Sequence, residues 1–223
     1  MTFNRYTMPL LSLLATMFVL TLAGPVIAKD EDEAAGEAAY AGDPFYLAEC
    51  PVKGIKLGDE PEVLIYEGRE LRFCCTGCVA KFEADPQKYI SEIDAKMIAD
   101  QLPYYALTTC PVTDEPLDSM GGPVDIIHNN RLVRFCCAGC IDEFKSNPET
   151  YIKKLDDAAK DKQAAGYPLM TCIVLPDEQY EEEHYYITVA GRVFRLCCGG
   201  CEAEVRSKPA EWIAKLEAAW ASN

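Results

Sequence analysis

Three copies of one short cysteine pattern constrain this chain more than any other feature. "RFCCTGC" occupies residues 72–78, "RFCCAGC" residues 134–140 and "RLCCGGC" residues 195–201. Each has two adjacent cysteines and a third three positions further on. A lone cysteine precedes each cluster, in "YLAECPV", "ALTTCPV" and "PLMTCIV". The cysteines therefore form three sets of four: Cys50, Cys74, Cys75, Cys78; Cys110, Cys136, Cys137, Cys140; and Cys172, Cys197, Cys198, Cys201. Self-similarity at one period means one supersecondary unit repeated. The expected units are residues 44–102, 103–165 and 166–223.

The local physics of one unit is legible. Glu67-Gly68, Asn129-Asn130 and Ala190-Gly191 lie between two β-like runs. Gly and Asn accept the positive φ that a tight hairpin turn needs. After the turn, Leu71/Phe73, Val133/Phe135 and Phe194/Leu196 alternate with Arg72, Arg134 and Arg195. That period of two puts the apolar pair inward and the arginine outward, snorkelling or paired with surface acids. Gly77, Gly139 and Gly200 stand where a sharp backbone turn would precede the last cysteine. Val79/Phe82, Ile141/Phe144 and Val205 start a first helix, which Pro86, Pro148 and Pro209 break. Proline suits the first position of a new helix, with Asp85 or Asn147 placed to cap it. Tyr89/Ile90/Ile93, Tyr151/Ile152/Leu155 and Trp212/Ile213/Leu216 then mark the apolar face of a second helix. The expected fold is α+β: three tandem small modules, each a β-hairpin followed by one or two short helices.

A module of about 60 residues buries barely enough surface to offset chain entropy, and usually needs a metal or disulfides. A hairpin brings its ends together, so the lone cysteine can meet the cluster. A thiolate at a helix N-terminus is also easier to ionise. Three thiolates suit a soft ion such as Cu(I) in trigonal geometry, whereas Zn(II) wants a fourth ligand. The two histidines cannot serve three units: His128 falls opposite Tyr66 and Val189, and His184 near Pro61. The fourth ligand common to all units is the extra cysteine of each pair. Neighbours on an extended strand point opposite ways, so one of each pair is expected to face the site and the other to face away or enter a disulfide. Four cysteines per unit also pair off in three possible ways as disulfides. The Cys75-Thr76-Gly77-Cys78 spacing admits thiol redox chemistry, but no recurring histidine or Ser/His/Asp set accompanies it. Asp59/Glu60 and Asp114/Glu115 read as solvated loop acids, and Tyr104-Tyr105 and Tyr185-Tyr186 as packing or strand residues. The chain is therefore expected not to be an enzyme.

The first 28 residues read as a secretory signal, with Arg5 in the n-region, an apolar stretch from Met8 to Ala23, and Val26-Ile27-Ala28 before "KDEDE". Cleavage after Ala28 would leave a soluble exported protein, periplasmic or secreted, without stable membrane insertion. Residues 29–43 are acidic and Ala/Gly-rich and read as a linker. Net charge is −15 for the whole chain, and Arg5 is the one charged side chain in the leader. So acidic a surface argues against nucleic acid and anionic membranes as partners.

The pattern "CPV…GR…RFCC.GC…F…P..Y" resembles the TRASH/YHS class of small treble-clef-like cysteine domains, over all three units from about residue 45 to 223. That family is associated with heavy-metal sensing, trafficking and resistance. The resemblance implies up to one heavy-metal ion per repeat, Cu(I) or Zn(II), and an exported metal-handling protein as a possible partner. It implies Cys50, Cys74 and Cys78 as ligands in the first unit, Cys110, Cys136 and Cys140 in the second, and Cys172, Cys197 and Cys201 in the third. The family usually has a non-thiol residue where Cys75, Cys137 and Cys198 stand. The third unit also departs at "CIV" and Leu196, which implies a degenerate third site.

Overall fold

The computed structural model describes residues 42–180 and 185–222. The expected leader, most of the expected linker and His184 lie outside the described residues. Among the described residues, no helix is long and apolar enough to cross a membrane.

The architecture is α+β, with one motif built three times. In the first repeat β1 (Glu62–Tyr66) and β2 (Arg69–Phe73) lead to α1 (Thr76–Ala84) and α2 (Pro86–Gln101). The second has β3 (Val124–His128), β4 (Arg131–Phe135), α3 (Cys140–Ser146) and α4 (Pro148–Ala164). The third has β5 (Tyr185–Val189), β6 (Arg192–Leu196), α5 (Gly200–Ser207) and α6 (Pro209–Ala221). Each sheet is a two-stranded antiparallel hairpin, with Leu64 opposite Leu71, Ile126 opposite Val133 and Ile187 opposite Phe194. Both turn residues have positive φ in every hairpin: 50° and 77° at Glu67-Gly68, 45° and 66° at Asn129-Asn130, 50° and 76° at Ala190-Gly191. That is the two-residue turn whose twist matches the strands.

The expected alternation holds. Leu71, Phe73, Val133, Phe135, Phe194 and Leu196 are buried, and the intervening Arg72 and Arg134 pair with Glu70 and Asp125 at 2.7 and 2.8 Å. Phe82, Phe144 and Val205 bury the first helix of each pair, and Ile93, Leu155 and Leu216 the second. Proline opens each second helix, but the side chains of Asp85 and Asn147 make no capping hydrogen bond. Both residues hold φ near −150° while their N–H groups close the preceding helix onto the Phe82 and Phe144 carbonyls. They serve as the joint between helices, not as caps.

A second device locks hairpin to helix. The residue that opens the second strand is a buried arginine in all three repeats: Arg69, Arg131 and Arg192. Each pairs with an acid of its own second helix, Arg69 with Asp94 at 2.6 Å, Arg131 with Asp156 at 2.8 Å and Arg192 with Glu217 at 2.7 Å. Burying a guanidinium is tolerable because charged partners take up its donors.

The repeats share their interior. One cluster combines Phe45, Phe73, Phe82 and Met97 of the first with Phe194, Val205, Trp212 and Leu216 of the third. A smaller one gathers Val133, Phe135, Phe144 and Leu155 of the second. Helix α2 packs on the second hairpin and α4 on the third. Gln101 donates to the Asn130 carbonyl at 2.9 Å and accepts the Leu132 N–H at 2.9 Å, and Gln163 does the same with Gly191 and Val193, at 2.8 and 2.9 Å. Asp43, assigned above to a linker, is 6% exposed and bonds Arg131 and the Ala190 N–H. These contacts join the three repeats into one compact body over the described residues.

Candidate metal centre

Each site is assembled from two local structures. The first is a tight turn that carries the lone cysteine. Glu49 bridges Lys56, the Gly54 N–H returns to the Cys50 carbonyl at 2.8 Å, and Gly54 takes φ 65°. The second repeat copies it: Thr109 bridges Pro116, Asp114 N–H returns to the Cys110 carbonyl at 2.9 Å, and Asp114 takes φ 61°. In the third, Thr171 bridges Gln179, which makes that turn one residue longer. The other half is the junction where the second strand ends and the first helix begins, and it carries the cluster.

These halves meet in all three repeats. The sulfurs of Cys50, Cys74 and Cys78 lie within 4.8 Å of one another, as do those of Cys110, Cys136 and Cys140, and of Cys172, Cys197 and Cys201. Each group could hold a metal ion. All twelve cysteines are free thiols. Individual separations are 3.6 Å for Cys74–Cys78, 3.7 Å for Cys136–Cys140, 3.7 Å for Cys172–Cys201 and 3.6 Å for Cys197–Cys201. With metal–sulfur bonds of about 2.3 Å, sulfurs sharing one ion stand about 3.8 Å apart in a tetrahedron and about 4.0 Å apart in a trigonal plane. The third group assembles as fully as the others, so the departures at "CIV" and Leu196 do not dismantle it.

The extra cysteine of each pair is not a member of the triad that includes the lone cysteine, yet it stays beside the cluster thiols. Cys75 lies 3.6 Å from Cys78 and 3.9 Å from Cys74, Cys137 lies 3.8 Å from Cys140, and Cys198 lies 3.9 Å from Cys201 and 4.0 Å from Cys197. Strand alternation no longer applies, because β2, β4 and β6 end one residue before the pair. Gly77, Gly139 and Gly200 also serve differently from expectation, for none has positive φ. Their missing Cβ leaves space beside the extra sulfur, at 3.9 Å from Cys75, 3.7 Å from Cys137 and 3.7 Å from Cys198.

The electrostatics sort the thiols. Burial opposes ionisation of Cys50, Cys110 and Cys172, but N–H groups of the turn and of the strand end outweigh it and lower all three, Cys110 to about 7. Hydrogen bonding from Cys78, through its thiol and then its N–H, brings Cys75 down to about 7. Burial, with hydrogen bonds among neighbouring thiols, pushes Cys78 up to about 12 and raises Cys140 and Cys201 as well. The last cysteine thus stays protonated beside a lone cysteine and an extra cysteine that ionise more readily, while burial also raises Cys74 and Cys197, an arrangement that a cation entering the group would relieve. Within the clusters the lowered thiols are Cys75, Cys137 and Cys198, ahead of the helix, while burial raises the thiol inside its first turn.

Three neighbours of the sites escaped the sequence reading. Lys53 Nζ lies 3.5 Å from Cys75, Thr113 Oγ1 lies 3.5 Å from Cys136, and Met120 Sδ lies 4.0 Å from Cys136. Lys53 and Thr113 share one position, three residues after the lone cysteine, and Leu175 holds it in the third repeat. His128 is half-buried and packs edge-on against the ring of Phe144 at 5.0 Å.

Comparison with family models, with curated proteins and with solved structures finds no match.

Proposed function

We propose that this is an exported, non-catalytic metal-binding protein of three TRASH/YHS-like modules. It sequesters a soft ion outside the cytoplasm, Cu(I) or Zn(II), or hands it to an exported metal-handling partner. The observation that carries this reading is the threefold convergence of thiols from distant chain segments at separations suited to one shared ion. Export is supported by the Arg5 n-region, the apolar stretch from Met8 to Ala23 and the small residues before "KDEDE".

The chain's own groups carry out capture. Cys50, Cys110 and Cys172 are held by turns whose N–H groups stabilise their thiolates. The cluster thiols close from the helix side. Cys75, Cys137 and Cys198 are half-buried or exposed, as Cys74 and Cys197 also are half-buried, and standing beside the triads they would receive an ion first or pass it on. Three thiolates complete a Cu(I) site; recruiting the fourth completes one for Zn(II).

The test is elemental analysis and thiol counting on protein isolated from its own compartment. The expected result is bound zinc or copper, with all twelve cysteines alkylated after chelation without reductant. Metal-free protein whose thiols appear only after reduction would replace this reading with a disulfide scaffold.

A further inference from the structure

The three sites are not equivalent, and the second differs in a way that names its ion. All three sulfurs of Cys110, Cys136 and Cys140 are buried, whereas Cys74 and Cys197 are partly open in the other two groups. The segment joining the cysteine turn to the hairpin supplies the difference. Between bridge residue and first strand, residues 57–61 suffice in the first repeat, but the second uses 117–123. This longer loop, "LDSMGGP", carries Met120. Leu117 anchors it at 9% exposure. Gly121 turns it with φ 82°. Gly122 presses its backbone on the cluster, where an added Cβ would lie 2.5 Å from the Cys136 carbonyl oxygen and 2.8 Å from that of Leu117. Only glycine permits so close an approach. The loop thereby brings the Met120 thioether to 4.0 Å from the Cys136 sulfur, the spacing of two donors on one ion. Met120 is otherwise 61% exposed, which core packing does not account for.

We propose that Met120 is an additional sulfur donor of the second site, which makes that site the one that prefers a soft monovalent ion, Cu(I), over Zn(II). The inference rests on the metal-binding reading above and deepens it. A thioether is neutral, needs no deprotonation and favours Cu(I), while adding little to Zn(II). The neighbouring residues agree in sign. The first site has the Lys53 ammonium against Cys75, a positive charge that offsets the surplus anion of a four-thiolate Zn(II) site. The corresponding Thr113 brings a hydroxyl and no charge, as suits fewer thiolates and a monovalent ion. An unbranched, mostly exposed methionine can also swing between the site and solvent, which suits passing an ion in or out.

The experiment uses the full reduced chain with methionine methyl groups labelled with carbon-13, and the substitution Met120→Leu, which keeps size and hydrophobicity. The Met120 methyl resonance, assigned by its loss in M120L, is followed on adding Cu(I) alone and Zn(II) alone. Cu(I) affinity is measured by competition with a bidentate Cu(I) chelator. The expected result is a Met120 shift with Cu(I) and none with Zn(II). M120L should weaken one of three Cu(I) sites by roughly 10–100-fold, at least the loss seen when groups supporting a ligand are removed, and leave Zn(II) binding unchanged. Three Cu(I) ions bound with an unmoved Met120 methyl and equal affinities in M120L would overturn this inference alone. Failure of the wild-type chain to take up either ion would overturn the metal-binding reading and this inference together.

Discussion

Replacing Asp43 by alanine removes a carboxylate that ties the segment leading into the first repeat to the second and third repeats. Its Oδ2 accepts from Arg131 Nε at 2.7 Å and from the Ala190 N–H at 2.6 Å, and its Oδ1 accepts from Arg131 Nη2 at 3.2 Å. Asp43 immediately precedes the first repeat, Arg131 opens β4 and Ala190 lies in the third hairpin's turn. Removing one partner of a buried pair costs about 3–5 kcal/mol, because the other charge is left uncompensated. Arg131 keeps Asp156 at 2.8 Å and the Thr188 carbonyl at 3.1 Å, which places the expected loss at the low end, about 3 kcal/mol. In a body of this size that lowers Tm by about 6–12 °C. The assay is thermal unfolding of reduced protein at one fixed metal loading, followed by far-UV circular dichroism and tryptophan fluorescence. Both tryptophans, Trp212 and Trp220, lie in the third repeat, so fluorescence reports the part of the chain most distant in sequence from Asp43. Both transitions should move together. Asp157→Ala, which loses an exposed pair with Lys153 at 2.6 Å, is the control and should cost less than about 0.5 kcal/mol. A loss below about 1 kcal/mol for Asp43→Ala would refute the argument. So would a fluorescence transition that stays at the wild-type midpoint while the dichroism shifts.

Other consequences can be measured separately. Phe82→Ala empties a buried position whose ring meets those of Tyr66, Phe73 and Tyr89 at 5.1, 5.3 and 6.2 Å; urea titration should show a loss of about 3–5 kcal/mol. Gly122→Ala forces the second repeat's loop off Cys136 and should cost about 1–3 kcal/mol, with weakened ion binding at that site alone in competition titrations. Ion uptake should also depend on pH. Cys75 and Cys110, held down at about 7, are partly ionised at neutral pH, whereas Cys78, pushed up to about 12, keeps its proton until an ion displaces it. Affinity should therefore fall as pH drops from about 8 to about 6, with protons released on binding. Calorimetry in two buffers of different ionisation enthalpy measures that release, and equal heats in both would contradict it.

The sequence carried the hairpins, their turns and their buried faces because these are local. Glu67-Gly68 or Leu71/Phe73 declare themselves within a few residues. It also carried the meeting of each lone cysteine with its cluster, since a hairpin leaves few other arrangements. The longer-range devices were harder to see. A single arginine such as Arg131 reads as a solvated strand end, and its acid, Asp156, as part of a helix's polar face. The signal was nonetheless present: arginine and acid recur at one fixed separation in Arg69/Asp94, Arg131/Asp156 and Arg192/Glu217. Asp43 belonged by composition to an acidic tract, and nothing local distinguishes it from its neighbours; its role comes from Arg131 and Ala190, far along the chain. Strand alternation separates the adjacent cysteines into one that joins the lone cysteine and one that does not, but the strand ends before the pair, so the second stays close to the cluster instead of pointing to the opposite face. Met120 was hidden for the opposite reason, since the loop that presents it is two residues longer than its counterpart in the first repeat.

The central claim is that each repeat holds one ion on its own thiols. Native mass spectrometry of the reduced full chain, loaded separately with Zn(II) and Cu(I), tests it most directly, alongside Cys78→Ser, Cys140→Ser, Cys201→Ser and Cys75→Ser. The account predicts three ions on the wild-type chain and two on each of the first three variants. Cys75→Ser should lose one Zn(II) but keep all three Cu(I), since a three-thiolate site still serves the monovalent ion. A wild-type chain that stays metal-free while fully reduced and folded, or single-cysteine variants that still carry three ions of each kind, would contradict it.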